Sequence, residues 1–108
     1  MSSAEHRQLL EGPQRAAELA RIPAWRQEEK RDCIRRHFEF KDFQTAFGQF
    51  MTRVGEEAER VDHHPEWFNV YNKVDVTLAT HTCNGVSMMD INMALFMDKL
   101  HDELTKQQ

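Results

Sequence analysis

The sequence predicts an α+β domain, a four-stranded antiparallel sheet with three helices packed on one face. Three observations carry that expectation. From Phe43 to Val61 apolar residues recur at helical spacing. Segments on either side of that stretch alternate apolar and polar residues, as half-buried strands do. Each of those segments has a neighbour across a short turn, which favours antiparallel pairing. The 108 residues and 12.8 kDa fit one domain spanning 1–108. A chain of this length buries roughly 60 to 70% of the surface its unfolded form exposes. That is enough for a core but leaves no second domain to close over a ligand. Any site must sit in a surface groove or between subunits.

Residues 1 to 11 are polar and expected to fray. Gly12-Pro13 reads as an N-cap followed by proline at the first helical position. Ala16, Ala17, Leu19 and Ala20 support a short helix that ends before Pro23, which disfavours helical angles at Ile22. Ala24 to Gln27 suits a short strand and Glu28 to Asp32 a charged turn. From Cys33 the pattern alternates: Ile34, Phe38 and Phe40 share one parity, and Arg35, His37 and Glu39 the other.

The central helix has Asp42 as N-cap. Its apolar residues Phe43, Ala46, Phe47, Phe50, Met51, Val54, Ala58 and Val61 fall at steps of 3, 1, 3, 1, 3, 4 and 3. Gly48 and Gly55 cost it about 1 kcal/mol each against alanine. They are either tolerated weak points or places where another backbone comes close. Pro65 stops the helix behind Asp62-His63-His64. Strands Trp67 to Tyr71 and Val74 to His81 follow, joined at Asn72-Lys73, where asparagine tolerates a positive φ. Val74, Val76 and Leu78 form the buried face, and Asp75, Thr77, Ala79 and His81 the other. Ser87 caps the last helix with Asp90 in capping-box spacing. Ile91, Met93, Ala94, Leu95, Phe96 and Met97 make that helix apolar nearly all round, which suggests a subunit contact.

Composition excludes several functions. The net charge of −4 and pI near 5.8 argue against direct nucleic-acid binding, which needs a basic face. No apolar run reaches a membrane span, mean hydropathy is −0.73, and the first residues lack a signal-peptide profile. Two cysteines, Cys33 and Cys83, make no disulfide framework and favour a reducing, cytoplasmic compartment.

Six histidines stand out, three of them (His63, His64 and His81) within nineteen residues. Histidine is the side chain best poised for proton transfer near neutrality. Pro65 holds His64 extended, so the two adjacent histidines point in different directions. A short hairpin brings His81 back beside them. A single histidine is ordinarily a surface residue; three converging beside Asp62 and Cys83 point to a site. A metal is the first rival reading, but neither Cys-x-x-Cys nor His-Glu-x-x-His is present. Nucleophilic catalysis by Cys83 is weaker still. His6, His37 and His101 read as surface positions.

The same residues form a spaced signature: Glu59, three residues, His63-His64-Pro65, five residues, Tyr71, nine residues, His81, eight residues, Asp90. Together with Trp67-Phe68-Asn69-Val70-Tyr71-Asn72-Lys73-Val74, Phe40-Lys41-Asp42-Phe43 and Met51-Thr52-Arg53-Val54, it resembles the pterin-4a-carbinolamine dehydratases. That family is also known as the dimerisation cofactors of hepatocyte nuclear factor. The resemblance runs from Trp25 to Phe96. It implies dehydration of a 4a-hydroxytetrahydropterin, formed by aromatic amino-acid hydroxylases, to the quinonoid dihydropterin and water, with no metal and no other cofactor. It implies His63 and His81 as the acid–base pair and His64 as a further catalytic-site residue that orients the pterin. Asp62, Thr80 and Thr82 would be additional ligand contacts. The implied partners are the pterin substrate, further copies of the chain in a dimer or tetramer, and, as a second role, a homeodomain transcription factor that would take the protein into the nucleus.

Two departures accompany the resemblance. The run Phe47-Gly48-Gln49-Phe50-Met51 is one residue longer than in the animal members. An inserted residue turns everything beyond it by about 100° unless a π-bulge or the helix start absorbs it. The continuous apolar steps place that absorption towards the N-terminal end. Asn84 to Met89 also differs. Both departures bear on oligomer and partner surfaces rather than on the histidines.

Overall fold

The computed structural model describes residues 3–106. Its elements run α1 (Ser3–His6), α2 (Gly12–Leu19), β1 (Arg26–Gln27), β2 (Ile34–Glu39), a π-helical segment (Gln44–Met51) continuing into α3 (Thr52–Val61), β3 (Glu66–Val70), β4 (Lys73–Leu78), a 3-10 turn (His81–Cys83) and α4 (Met88–Thr105). All pairings are antiparallel and the strand order is β1-β2-β4-β3. The α+β expectation holds. Alternation decides which face is buried: Ile34, Phe38, Val74, Val76 and Leu78 are enclosed, while Arg35, His37, Glu39 and Asp75 face outward. Against the enclosed face lie Phe50, Val54 and Ala58 of the central helix and Ile91, Ala94 and Met97 of α4. Arg36, on the same face, reaches Asp98 of α4 at 2.6 Å, and Asp98 also accepts from the Trp25 indole at 2.8 Å.

The central helix begins as expected, with the Asp42 carboxylate accepting from the Thr45 backbone N–H at 2.8 Å and from its hydroxyl at 2.7 Å. Its first turns are then π-helical, and the Thr52 hydroxyl donates to the Phe47 carbonyl five residues back at 3.0 Å. A wide turn at the N-terminal end is where the extra residue was expected to be taken up. Past Thr52 the helix is ordinary α, with Val54 and Ala58 buried. Neither Gly48 nor Gly55 meets another segment: a Cβ at Gly48 would touch only Gln44 of the same helix, and at Gly55 nothing. The glycines are tolerated weak points.

Several local expectations are corrected. The N-cap of α2 is Glu11, one residue before Gly12, which itself enters the helix at φ +59°. The β3–β4 turn is Tyr71-Asn72, since Val70 pairs with Lys73, and it is Tyr71 that carries the positive φ of 50°. Asn72 is held instead by the end of β2: its side chain donates to the Phe40 carbonyl at 2.7 Å and its own carbonyl accepts from Phe40 N–H at 2.9 Å. Strand β4 stops at Leu78 rather than His81, because Thr80 pairs with Gly85 across a tight loop. The all-round apolar α4 is largely consumed within the chain: Met93 and Met97 are buried, and Met88, Leu95 and Phe96 are half-covered. Exposed apolar surface lies elsewhere, on Phe43 and Phe47, whose rings stack at 5.3 Å, and on Phe68, Val70 and Tyr71 at the open edge beside β3.

The stretch from residue 3 to 11, expected to fray, is tied at two points. Leu10 is buried with its N–H on the Val86 carbonyl at 2.9 Å, and Arg7 bonds the end of α3. Residues 1 and 2 lie outside the described part. His101 is not a surface position either. It packs edge-on against Phe38 and Phe40 with centroids 5.2 and 5.3 Å away, and burial pushes its pKa down. No helix is long and apolar enough to cross a membrane, among the described residues.

Candidate active site

The site begins where α3 ends. Asp62 adopts left-handed angles, φ 54° and ψ 51°. Its N–H returns to the Glu59 carbonyl at 3.4 Å, and that of His63 to the Ala58 carbonyl at 3.0 Å. This is a Schellman end with aspartate where glycine is usual, a conformation that costs of order 1 kcal/mol or more for a residue with a Cβ. The corner reverses the chain within one residue. His63 turns inward and His64 outward, and Pro65 leads straight into β3.

His63 is 6% exposed, and its Nε2 meets Oδ1 of Asp90 at 2.6 Å. Asp90 is fully buried. A carboxylate only accepts, so Nε2 carries the proton towards Asp90. That leaves Nδ1 as the ring nitrogen for exchange with a ligand. The other Asp90 oxygen accepts from the Thr80 hydroxyl at 2.8 Å and from the Ser87 N–H at 2.9 Å. Ser87 in turn accepts from Met89 N–H, completing the expected capping box.

Asp90 therefore does three things from the first turn of α4. It caps the helix, fixes the His63 ring, and holds Thr80 at the base of the loop that presents His81. That loop is closed by the Thr80–Gly85 pairing and by Asn84, left-handed at φ 53°, whose N–H bonds the His81 carbonyl at 3.1 Å. Among the described residues no hydrogen bond restrains the exposed His81 ring. His64 is half-exposed, with its Nε2 2.6 Å from the Glu59 carboxylate.

Asp62, His63, His64, His81 and Thr82 line one cleft of about 190 Å³, together with Ala79 and Arg7. Five of the six sequence-predicted site residues thus meet. Thr80 does not line the cleft: its hydroxyl is buried on Asp90 and Ser87 (the latter at 2.6 Å), beneath it. Beyond Arg7 and Asp62 the cleft adjoins a wider depression of about 750 Å³, walled by Glu57, Arg60, Met89, Asn92 and Met93 among others. Burial pushes the Cys83 thiol up, away from a nucleophile's range. Among the described residues no three His, Cys, Asp or Glu side chains are grouped to hold a metal ion.

Sequence reasoning missed two contributors. Asp90 was legible as a cap and as part of the spaced signature, but its bond to His63, twenty-seven residues away, was not. Arg7 gave no signal at all inside a polar N-terminal stretch.

Comparison with known proteins places the chain among relatives of one kind. A relative from Paraburkholderia xenovorans (strain LB400), provisionally named a pterin-4-alpha-carbinolamine dehydratase, is 50% identical over 91 residues, covering 84% of this chain and 94% of its own. A crystal structure from Brucella melitensis, described as a transcriptional coactivator/pterin dehydratase, superposes with a TM-score of 0.80 at 49% identity, over 87% of this chain and 98% of that one. The family model for pterin 4 alpha carbinolamine dehydratase matches residues 8–100, which include all three histidines of the cleft and the buried aspartate beneath them but not Arg7. With most of its length and the three cleft histidines inside that match, the chain belongs to the pterin 4 alpha carbinolamine dehydratase family.

Proposed function

We propose that the cleft dehydrates 4a-hydroxytetrahydrobiopterin or a close pterin analogue. The C4a–O bond breaks as an imidazolium gives its proton to the departing hydroxyl, which leaves as water. The N5–H proton passes to a neutral imidazole while its electron pair forms the C4a=N5 bond of the quinonoid dihydropterin. His63 and His81 carry these two transfers. His64, Asp62 and Thr82 orient the pterin. The substrate is the spent pterin an aromatic amino-acid hydroxylase leaves and the product is the form a reductase takes up, which suits a cytoplasmic enzyme.

One observation carries the reading. Two imidazoles share a cleft under opposite restraint: His63 is buried and fixed by Asp90, and His81 is exposed, its ring without a hydrogen bond among the described residues. One ring held in place and one free to turn give the cleft two proton-transfer groups within reach of one ligand. His81→Ala and His63→Gln are expected to lower kcat by about 10²- to 10⁴-fold each, the usual weight of one general acid or base. Stopped-flow loss of the 4a-hydroxypterin absorbance checks this. Near-normal turnover in the double variant sinks the assignment.

A second role, binding a homeodomain factor's dimerisation helices, is favoured by the exposed, stacked Phe43 and Phe47 on the π-helical segment. The open β3 edge with Phe68 and Val70 would serve self-association. A pull-down with homeodomain dimerisation segments tests the first, and an empty one removes it. Sedimentation of Phe68→Glu tests the second, and an unchanged oligomer removes that edge as the contact.

A further inference from the structure

The last carbonyls of a helix have no partner inside it and must find one elsewhere. At the end of α3 the two returning N–H groups use the carbonyls of Ala58 and Glu59. Those of Val61 and Asp62 are taken by a single side chain from the other end of the sequence. Arg7 Nη2 donates to the Val61 carbonyl at 3.2 Å and to the Asp62 carbonyl at 2.8 Å. A cation at a helix C-terminus is also favourably placed against the helix dipole. Three residues on, Leu10 is buried and bonded to Val86, just past the loop that carries His81. The N-terminal strap thus touches both histidine-bearing elements, and Arg7 forms a wall common to the cleft and the wider depression.

We propose that Arg7 is a positioning residue for the histidine cleft. By holding the carbonyls of Val61 and Asp62 it locks the left-handed corner from which His63 turns in and His64 turns out. The corner is strained at a non-glycine residue and persists only where its surroundings over-determine it. Arg7 supplies bonds that neither the helix nor the strand can. Its activity arm rests on the dehydratase reading above; its structural arm does not.

The test uses the full chain with Arg7→Ala, Arg7→Gln and Arg7→Lys. By amide hydrogen exchange, the His63 N–H of Arg7→Ala is expected to exchange about tenfold faster, the loss of roughly one hydrogen bond's support. Amides of β4 should be unchanged. In steady-state dehydration, kcat falls about ten- to a hundredfold, more than KM rises, as expected for misplaced rather than missing proton-transfer groups. Arg7→Lys, or millimolar guanidinium added to Arg7→Ala, restores part of kcat. Wild-type exchange at His63 in Arg7→Ala overturns the proposal, and so does a loss of protection spread evenly over β4. If the wild type itself shows no dehydration, the functional reading fails while the exchange experiment still decides the clamp.

Discussion

His63 and His64 are consecutive residues, and each places Nε2 2.6 Å from a carboxylate. Yet one pair is almost wholly buried, at 6% and 0% side-chain exposure, and the other stands in solvent at 55% and 79%. The same contact therefore means two things. For the exposed pair, water and salt screen the attraction and two mobile side chains must be ordered, which leaves little net stabilisation. For the buried pair, the cost of removing either partner is the cost of an uncompensated polar group in the interior. Both regimes open from a single left-handed residue, Asp62, directly before the two histidines. A site of this kind does not need different residue types to obtain different chemistry, only a corner that sends identical side chains to opposite environments.

The comparison breaks most visibly at Asp90. Asp90→Ala removes the acceptor of His63, Thr80 and the Ser87 N–H together. A loss of about 3 to 5 kcal/mol in urea unfolding is expected, the usual result of breaking a buried pair. A loss below about 1 kcal/mol would place Asp90 in the exposed class. Glu59→Gln, on the outer pair, should cost at most about 1 kcal/mol, with the difference vanishing at high salt. A cost that survives 1 M salt would mean that the outer pair is less screened than its exposure indicates.

The smallest effects concern two histidines outside the cleft, and they have opposite signs. The hydrogen bond to Asp75, and after it that to Glu39, raises the His37 pKa above the ordinary 6.5. Its contribution to stability is fully present below about pH 6.5 and is lost as pH rises through the folded value. Burial lowers the His101 pKa below the same 6.5. Its contribution is intact above about pH 6.5 and declines as pH falls towards the folded value. Unfolding free energies compared between pH 8 and pH 5.5 should therefore show a smaller acid loss for His101→Gln than for wild type. His37→Gln should show a larger one, kept slight by solvent screening. Identical pH curves for all three proteins would erase the distinction.

The sequence expressed what is periodic. Parity in β2 and β4 and the 3–4 spacing of the central helix reached the right faces, because period-two and period-3.6 patterns are imposed by the core itself. Asp42 and Ser87 were legible as caps because capping is local. The β3–β4 turn was misplaced by one residue because asparagine's tolerance of positive φ was weighed above register. Pairing of Val70 with Lys73 puts that φ on Tyr71, while Asn72 is used by Phe40. Asp90 on His63, His101 between two phenylalanines and Arg7 on the end of α3 are contacts across 27 to 63 residues, which no local pattern encodes.

The wide π-helical stretch over Gln44–Met51 begins just after Phe43, carries Phe47 of the stacked pair, and precedes the corner at Asp62. A turn with slack in it works as a slip joint. One residue can enter or leave the helix there and the phase of everything beyond is kept. The outer aromatic face and the proton-transfer corner are thereby uncoupled in rotation, although they share one continuous helix. A chain built this way can vary the residues it exposes between Phe43 and Met51 without turning the histidine corner.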